Sequence, residues 1–129
     1  SASVPPERLY RPVECLAHAT DTGSGRDFAV WRVDRVIEGR CPAVIRKVGE
    51  PRVGDKVYCI GHPRGLPMKV APNAAVQAYD SADVVTADLD AFACNSGAGV
   101  FSDSTHELVG LYISGPERNS RWTRGASAT

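Results

Sequence analysis

The chain lacks a net charge: fifteen basic residues balance fifteen acidic ones over 129 residues. Such a balance draws a protein neither to nucleic acid nor to an acidic membrane surface, so neither partner is expected. It also lacks any apolar run near the roughly 20 residues that a membrane-crossing helix needs. The first residues do not read as a signal peptide. Cysteine is scarce, with four residues at 15, 41, 59 and 94 and no Cys-x-x-Cys pair. That is too little for a disulfide scaffold. Cys59-x-x-His62 is the one close Cys/His spacing, so neither a metal site nor a cofactor is expected. The cysteines read as small buried strand residues. Whether Cys59 pairs with Cys94 stays open, and the compartment with it. Histidine is rarer still, at 18, 62 and 106 only. What is present is an ordinary apolar fraction, 43%, which excludes wholesale disorder. The length suits one domain or a part of a larger one.

Helical periodicity is also missing, and period-two alternation takes its place. Leu9–Ala17 partly alternates around Pro12, which suits an edge or a bulge. Residues 20–25 form a turn cluster of Asp, Thr, Gly and Ser. Phe28–Val33 reads as a mostly buried strand. Residues 36–51 carry Gly39, Pro42, Gly49 and Pro51 and read as a linker with one short strand, Ala43–Arg46. Short strands follow at Val57–Ile60, Met68–Val70, Ala74–Tyr79, Asp83–Ala87, Gly99–Phe101 and Leu108–Ile113. Short strands separated by Gly, Pro, Asn and Asp are the pattern of an all-β antiparallel barrel or sandwich. From Glu117 onward the alternation fades, so residues 116–129 are expected to be a mobile tail, with Trp122 a candidate to dock on the body.

The segment Asp90-Ala91-Phe92-Ala93-Cys94-Asn95-Ser96-Gly97-Ala98-Gly99-Val100-Phe101 sets a serine among small residues. Small neighbours let another chain and the serine's own backbone N–H groups come close, which a serine nucleophile requires. This stretch resembles the nucleophile loop of trypsin-like serine peptidases, in particular the bacterial V8-like, glutamyl-endopeptidase-like branch with its Gly-Asn-Ser-Gly-Ser-Pro-Val pattern. Cys94 stands at that pattern's glycine, and Ala98-Gly99 replace Ser-Pro. Val53–Lys69 carries the resemblance further. It is similar to the Gly-Asp-x-Val-Tyr-x-Ile-Gly-His-Pro-x-Gly-Leu-Pro-x-Lys hairpin that opens the second barrel in a bacterial branch of that family. Gly110–Gly115 resembles the strand beside the substrate, and Arg26–Val30 the segment bearing the triad aspartate. The resemblance spans roughly residues 9 to 115.

The resemblance implies an antiparallel two-barrel fold. Residues 1–48 would supply the last strands of the first barrel and the inter-barrel linker, and 49–115 the second barrel. It implies a serine endopeptidase acting on polypeptide substrates. Ser96 would be the nucleophile, Asp27 the carboxylate that orients a histidine, and the N–H groups of Cys94 and Ser96 the oxyanion hole. The alternative is an inactive relative that keeps the barrel for peptide binding or as a scaffold.

No histidine here fits the family's catalytic segment. His18 lies only nine positions before Asp27, with a turn between, and reads as a strand-end residue. His62 sits in a Gly-His-Pro turn with a structural role, and His106 in a solvated hairpin. The expectation is a histidine supplied by an upstream segment or a second chain that completes the first barrel. Cys94 carries a further implication, because the oxyanion-hole glycine has a backbone geometry awkward for a residue with a Cβ. Loss of one such donor costs about 3 kcal/mol of transition-state stabilisation.

The substrate-binding set implied by the resemblance is Asp90, Tyr112, Ile113 and Ser114. Asp90 lies six residues before Ser96, where a carboxylate either favours Arg or Lys in the substrate or caps a turn. Tyr112 or a neighbour occupies the region where glutamate-specific enzymes have a histidine, which counts against glutamate preference. Asn95 replaces a carboxylate that trypsins proper use to receive a freshly cut N-terminus, which counts against that mode of activation.

Overall fold

The sequence Lys56–Gly61 alternates exposed and buried side chains almost without a break, as a strand with one face on a core must. The computed structural model describes residues 3–21, 25–115 and 120–124 and places eight strands among them. They are β1 (Pro12–Asp21), β2 (Arg26–Val33), β3 (Lys56–Gly61), β4 (Lys69–Tyr79), β5 (Val84–Ala87), β6 (Gly99–Ser102), β7 (Leu108–Ser114) and β8 (Ser120–Arg124). β3 to β8 close into an antiparallel barrel in the order β3-β4-β5-β8-β7-β6. Closure leaves no free strand edge around the barrel wall. The fold is all-β, as the alternation implied.

The core lies inside this barrel. Val57, Val76, Val85, Leu89, Val100 and Trp122 are all 1% exposed or less. Trp122 comes from a segment expected to be part of a mobile tail. The structure corrects that expectation for Ser120–Arg124, which forms β8 and pairs with both β5 and β7. The reason is packing: the indole and the buried Ser120 and Thr123 fill the seam that would otherwise leave β5 and β7 with open edges. Residues 116–119 and 125–129 lie outside the described residues.

The two expected strands around Pro72 are one. β4 runs through Pro72 and Asn73 because a bulge absorbs them: Cys59 pairs with Ala71 while Val57 pairs with Ala74. Asn73 takes φ 65°, a value that asparagine tolerates better than most residues. The short strand expected at Ala43–Arg46 is a single parallel bridge, Ile45 to Leu108, held by Leu108 N–H to Val44 O at 2.7 Å and Arg46 N–H to Leu108 O at 3.0 Å.

β1 and β2 form a separate two-stranded ribbon. Leu16 (57%), Val30 (48%) and Trp31 (52%) remain exposed on it. Its hairpin end touches the barrel. Gly25 lies against the Val84 side chain, and Arg26 Nε meets Asp83 at 2.8 Å. Between ribbon, linker and barrel runs a groove of about 600 Å³ lined by His18, Phe28, Ile45, Arg46 and Leu108 among others.

Candidate active site

The start of β6 is flanked on both sides. Ile60 near the end of β3 pairs with Gly99, and so does Leu111 of β7. The ends of β3 and β7 therefore rise on opposite sides of the loop that feeds β6, and that loop carries Ser96. Its base is anchored by Leu89 and Ala91, 0% and 2% exposed, and by Ser120 Oγ donating to Leu89 O at 2.9 Å. Its tip is a tight turn closed by Ala98 N–H to Asn95 O at 3.0 Å. Gly97, the third residue of the turn, has φ 88°, which makes it a type II turn and explains the glycine. Ser96 is the second residue, so the turn presents its side chain at the tip, exposed.

Ser96 Oγ donates to Ile113 O at 3.1 Å. The turn is pinned to β7 just beneath, by Gly97 N–H to Tyr112 O at 2.8 Å and Tyr112 N–H to Ala98 O at 2.9 Å. Pairing on this side of β7 ends there. Ile113, Ser114 and Gly115 have no β6 partner among the described residues. The hydroxyl thus sits at the open end of a strand, where an extended chain can add.

Cys94 precedes the turn with φ 61° and is exposed. The left-handed conformation expected of a glycine at this place is adopted by a residue with a Cβ, at a cost of about 1–2 kcal/mol. Among the described residues no backbone acceptor takes the N–H of Cys94 or of Ser96. Both residues line a pocket of about 300 Å³ with Ile60, Gly61, His62, Asn95, Gly97, Ala98 and Gly99.

Asn95 is the buried member of the loop, 6% exposed, with Nδ2 3.8 Å from Cys59 Sγ and with Oδ1 unpartnered among the described residues. Oδ1 lies against the Cα of Gly61, where any side chain would collide with it. Burial pushes the Cys59 thiol up to about 11, so it stays neutral beside the amide. All four cysteines are free, and Cys59 and Cys94 form no bridge.

The remaining sequence candidates fall elsewhere. Ile113 meets Ser96 through its carbonyl, and Ser114 is exposed on the open end of β7. Tyr112 is 2% exposed, its ring in the barrel core and its hydroxyl on Gly115 O at 3.1 Å. Its side chain thus faces the core, and only its backbone meets the serine turn. Asp90 lines a different cavity, of about 390 Å³, with Leu66, Lys69, Val70 and Phe92. Asn95 is the wall between the two cavities.

Asp27 lies on the β1–β2 ribbon opposite Thr20, exposed. Alternation sets it on the face opposite Arg26 and Phe28, which line the groove toward the barrel. Among the described residues, no hydrogen bond or common cavity joins Asp27 to Ser96. His18 pairs opposite Ala29, two residues along from Asp27, but it lines the groove and its Nδ1 meets Cys15 Sγ at 3.7 Å. His106 accepts or donates at Tyr58 Oη, 3.1 Å away, on the outer barrel wall.

His62 is the residue that sequence reasoning undervalued. It was expected to serve only its turn, yet it lines the Ser96 pocket. The signal was the strand order, since the residue that follows β3 must stand beside the loop that leads into β6.

The comparisons with known proteins agree with this architecture. The family described as the trypsin-like peptidase domain matches residues 2–111. Two crystal structures of Rv3671c from M. tuberculosis resemble the chain. An inactive form has a TM-score of 0.64 at 17% identity, covering 91% of this chain and 62% of that one. The active form of this protease has a TM-score of 0.66 at 18% identity, covering 91% and 56%. Identities this low bear on the fold alone, and the chain spans less than two thirds of either protein. No curated protein matches it. The chain belongs to the trypsin-like peptidase domain family.

Proposed function

We propose that this chain is the nucleophile-bearing portion of a serine endopeptidase that cleaves polypeptides through an acyl-enzyme. The supporting observation is the exposed Ser96 hydroxyl at the tip of a type II turn, bonded to Ile113 O at the open end of β7. Its N–H and that of Cys94 are free of backbone acceptors among the described residues. A substrate chain laid along Ile113 and Ser114 would bring its carbonyl carbon to Ser96 Oγ. The carbonyl oxygen would then turn toward those two N–H groups. Attack forms the C–O bond and passes the hydroxyl proton to an imidazole, which returns it to the leaving amine.

That imidazole comes from outside these residues, on a segment or partner chain that completes a first barrel. Residues 1–48 are the end of that barrel and the linker, and Asp27 is its orienting carboxylate. The exposed Leu16, Val30 and Trp31 support this reading, since an apolar ribbon of this kind is normally covered. The likeness of Gly54–Lys69 to the bacterial hairpin supports assignment to the V8-like branch. Asp90 favours a basic residue in the substrate if loading of the cleft joins its cavity to Ser96; otherwise it serves its own loop.

Two substitutions in the full-length protein test the proposal. Ser96→Ala should abolish peptide cleavage and leave the fold intact. Asp27→Asn should lower kcat by about 10⁴, the worth of a correctly held tautomer. Retained cleavage by Ser96→Ala removes the nucleophile, and unchanged kcat in Asp27→Asn removes the carboxylate.

A second reading has its own observation. Cys94 holds a left-handed backbone with a Cβ, which a sequence under selection for an oxyanion hole avoids. An inactive peptide-binding relative would keep the β7 edge and lose turnover. It predicts peptide binding without any covalent intermediate at Ser96.

A further inference from the structure

His62 directly follows the end of β3 and Ile113 lies near the end of β7, and β6 runs between these two strands. The two residues therefore stand on opposite sides of Ser96. Ser96 Oγ is bonded on the β7 side. The pocket of about 300 Å³ on the other side is lined by Ile60, Gly61, His62 and residues 94–99, and by no residue of β7. A chain aligned on β7 with its scissile carbonyl at Ser96 carries its remaining residues across the turn toward His62.

The imidazole there has a defined state. Its Nδ1 is 3.2 Å from Leu66 O. A carbonyl oxygen only accepts, so Nδ1 carries the hydrogen and the neutral ring has its lone pair at Nε2. That nitrogen is an acceptor with no partner among the described residues, on a side chain that lines the pocket. The backbone that bears the ring is fixed as well. Buried Pro63 follows it, and the turn is closed by Gly65 N–H to His62 O at 3.2 Å and Leu66 N–H to Pro63 O at 3.0 Å. The Ser96 hydroxyl is directed to Ile113 and not to this ring, so the geometry does not make His62 the proton acceptor for attack.

We infer that His62 is a substrate-recognition residue on the leaving-group side of Ser96. Its Nε2 accepts a backbone N–H from the residues that follow the cleaved bond; this rests on the serine-peptidase reading above. Such a contact exists while the leaving peptide is bound and is gone once the acyl-enzyme has formed. It therefore favours acylation of extended peptides and has no part in deacylation.

The test uses the full-length protein and two substrates with the same acyl portion. One is a peptide extended by several residues beyond the bond, and the other a p-nitrophenyl ester that has no such residues. His62→Ala should lower kcat/KM for the extended peptide about tenfold, the worth of one neutral hydrogen bond. The ester's kcat/KM and the deacylation rate should not change. His62→Gln, whose side-chain carbonyl accepts in a similar place, should recover most of the loss. Equal losses on both substrates would mean that the side chain merely shapes the turn, and that outcome overturns the inference alone. So does an undiminished rate on the extended peptide. A wild-type protein that turns over neither substrate removes the peptidase reading, and the inference with it.

Discussion

Adding one methyl group at Gly61 should disable the serine turn from beneath. Gly61 is buried and ends β3, and its backbone is not in the left-handed region. The cost of Gly61→Ala is therefore overlap and not conformational strain. The new Cβ would lie 2.7 Å from Ala98 Cβ and 2.9 Å from Asn95 Cγ, with Asn95 Oδ1 nearer still. Carbon atoms in contact sit at about 3.5–4.0 Å, so the neighbours must retreat by roughly 1 Å. Both are largely buried, 6% and 9% exposed, so neither retreats without moving the turn. They are the first and last residues of the turn that presents Ser96. Overpacking of this size costs about 2 kcal/mol, a fall in Tm on the order of 8 °C for a chain of this length. A displacement of about 1 Å at the nucleophile is worth about a hundredfold in rate. Urea denaturation reads the first effect, and the rate of Ser96 modification in the full-length protein reads the second. A variant with wild-type midpoint and wild-type rate would refute the claim that Gly61, Asn95 and the serine turn form one packed unit.

Cys94→Gly should relieve the left-handed backbone at φ 61°. The gain should be about 1 kcal/mol of stability with an increase in acylation rate, and a loss of stability would contradict the strain argument. Trp122→Ala should cost about 3–5 kcal/mol, since the indole is 0% exposed and β8 closes the barrel through it. Stability near wild type would return this segment to the status of a tail. A thiol reagent should titrate Cys15, Cys41 and Cys94 in the native protein, and Cys59 only after unfolding, because burial holds its thiol at about 11. Hydrogen bonds from Arg121 and Thr86 hold Asp80 below the ordinary carboxylate range, and those from Arg46 and Thr105 do the same for Glu107. A lowered folded value means stability that is present above the unfolded value and lost as pH falls through the folded one. Acid unfolding should therefore begin below about pH 4 and be less steep in Asp80→Asn and Glu107→Gln.

The barrel was legible where burial alternates, as in β3 and β7, because one face of each meets the core. β8 was not legible. Its Ser120, Trp122 and Thr123 are buried, but two are polar, and their partners in β5 lie far away in sequence. Hydroxyl bonds such as Ser120 Oγ to Leu89 O make such burial affordable. Pro72 read as a break because proline removes a ladder donor, and only the pairing register reveals the bulge that accommodates it.

At the site, the serine turn was legible from Asn95-Ser96-Gly97, whose glycine supplies the φ that the turn requires. The partnership of Ser96 with Ile113 needed the β6–β7 register, and the placing of His62 needed the barrel order. The Asp27 assignment rests on likeness of sequence; the ribbon that bears it makes no described bond to the serine turn.

The central claim is that Ser96 is an activated nucleophile. A fluorophosphonate probe applied to the full-length protein, followed by peptide mapping, tests it most directly. The account predicts one stoichiometric adduct on the peptide containing Ser96, absent from Ser96→Ala and after unfolding. A folded full-length protein that binds peptides yet takes up no probe at Ser96 would contradict it.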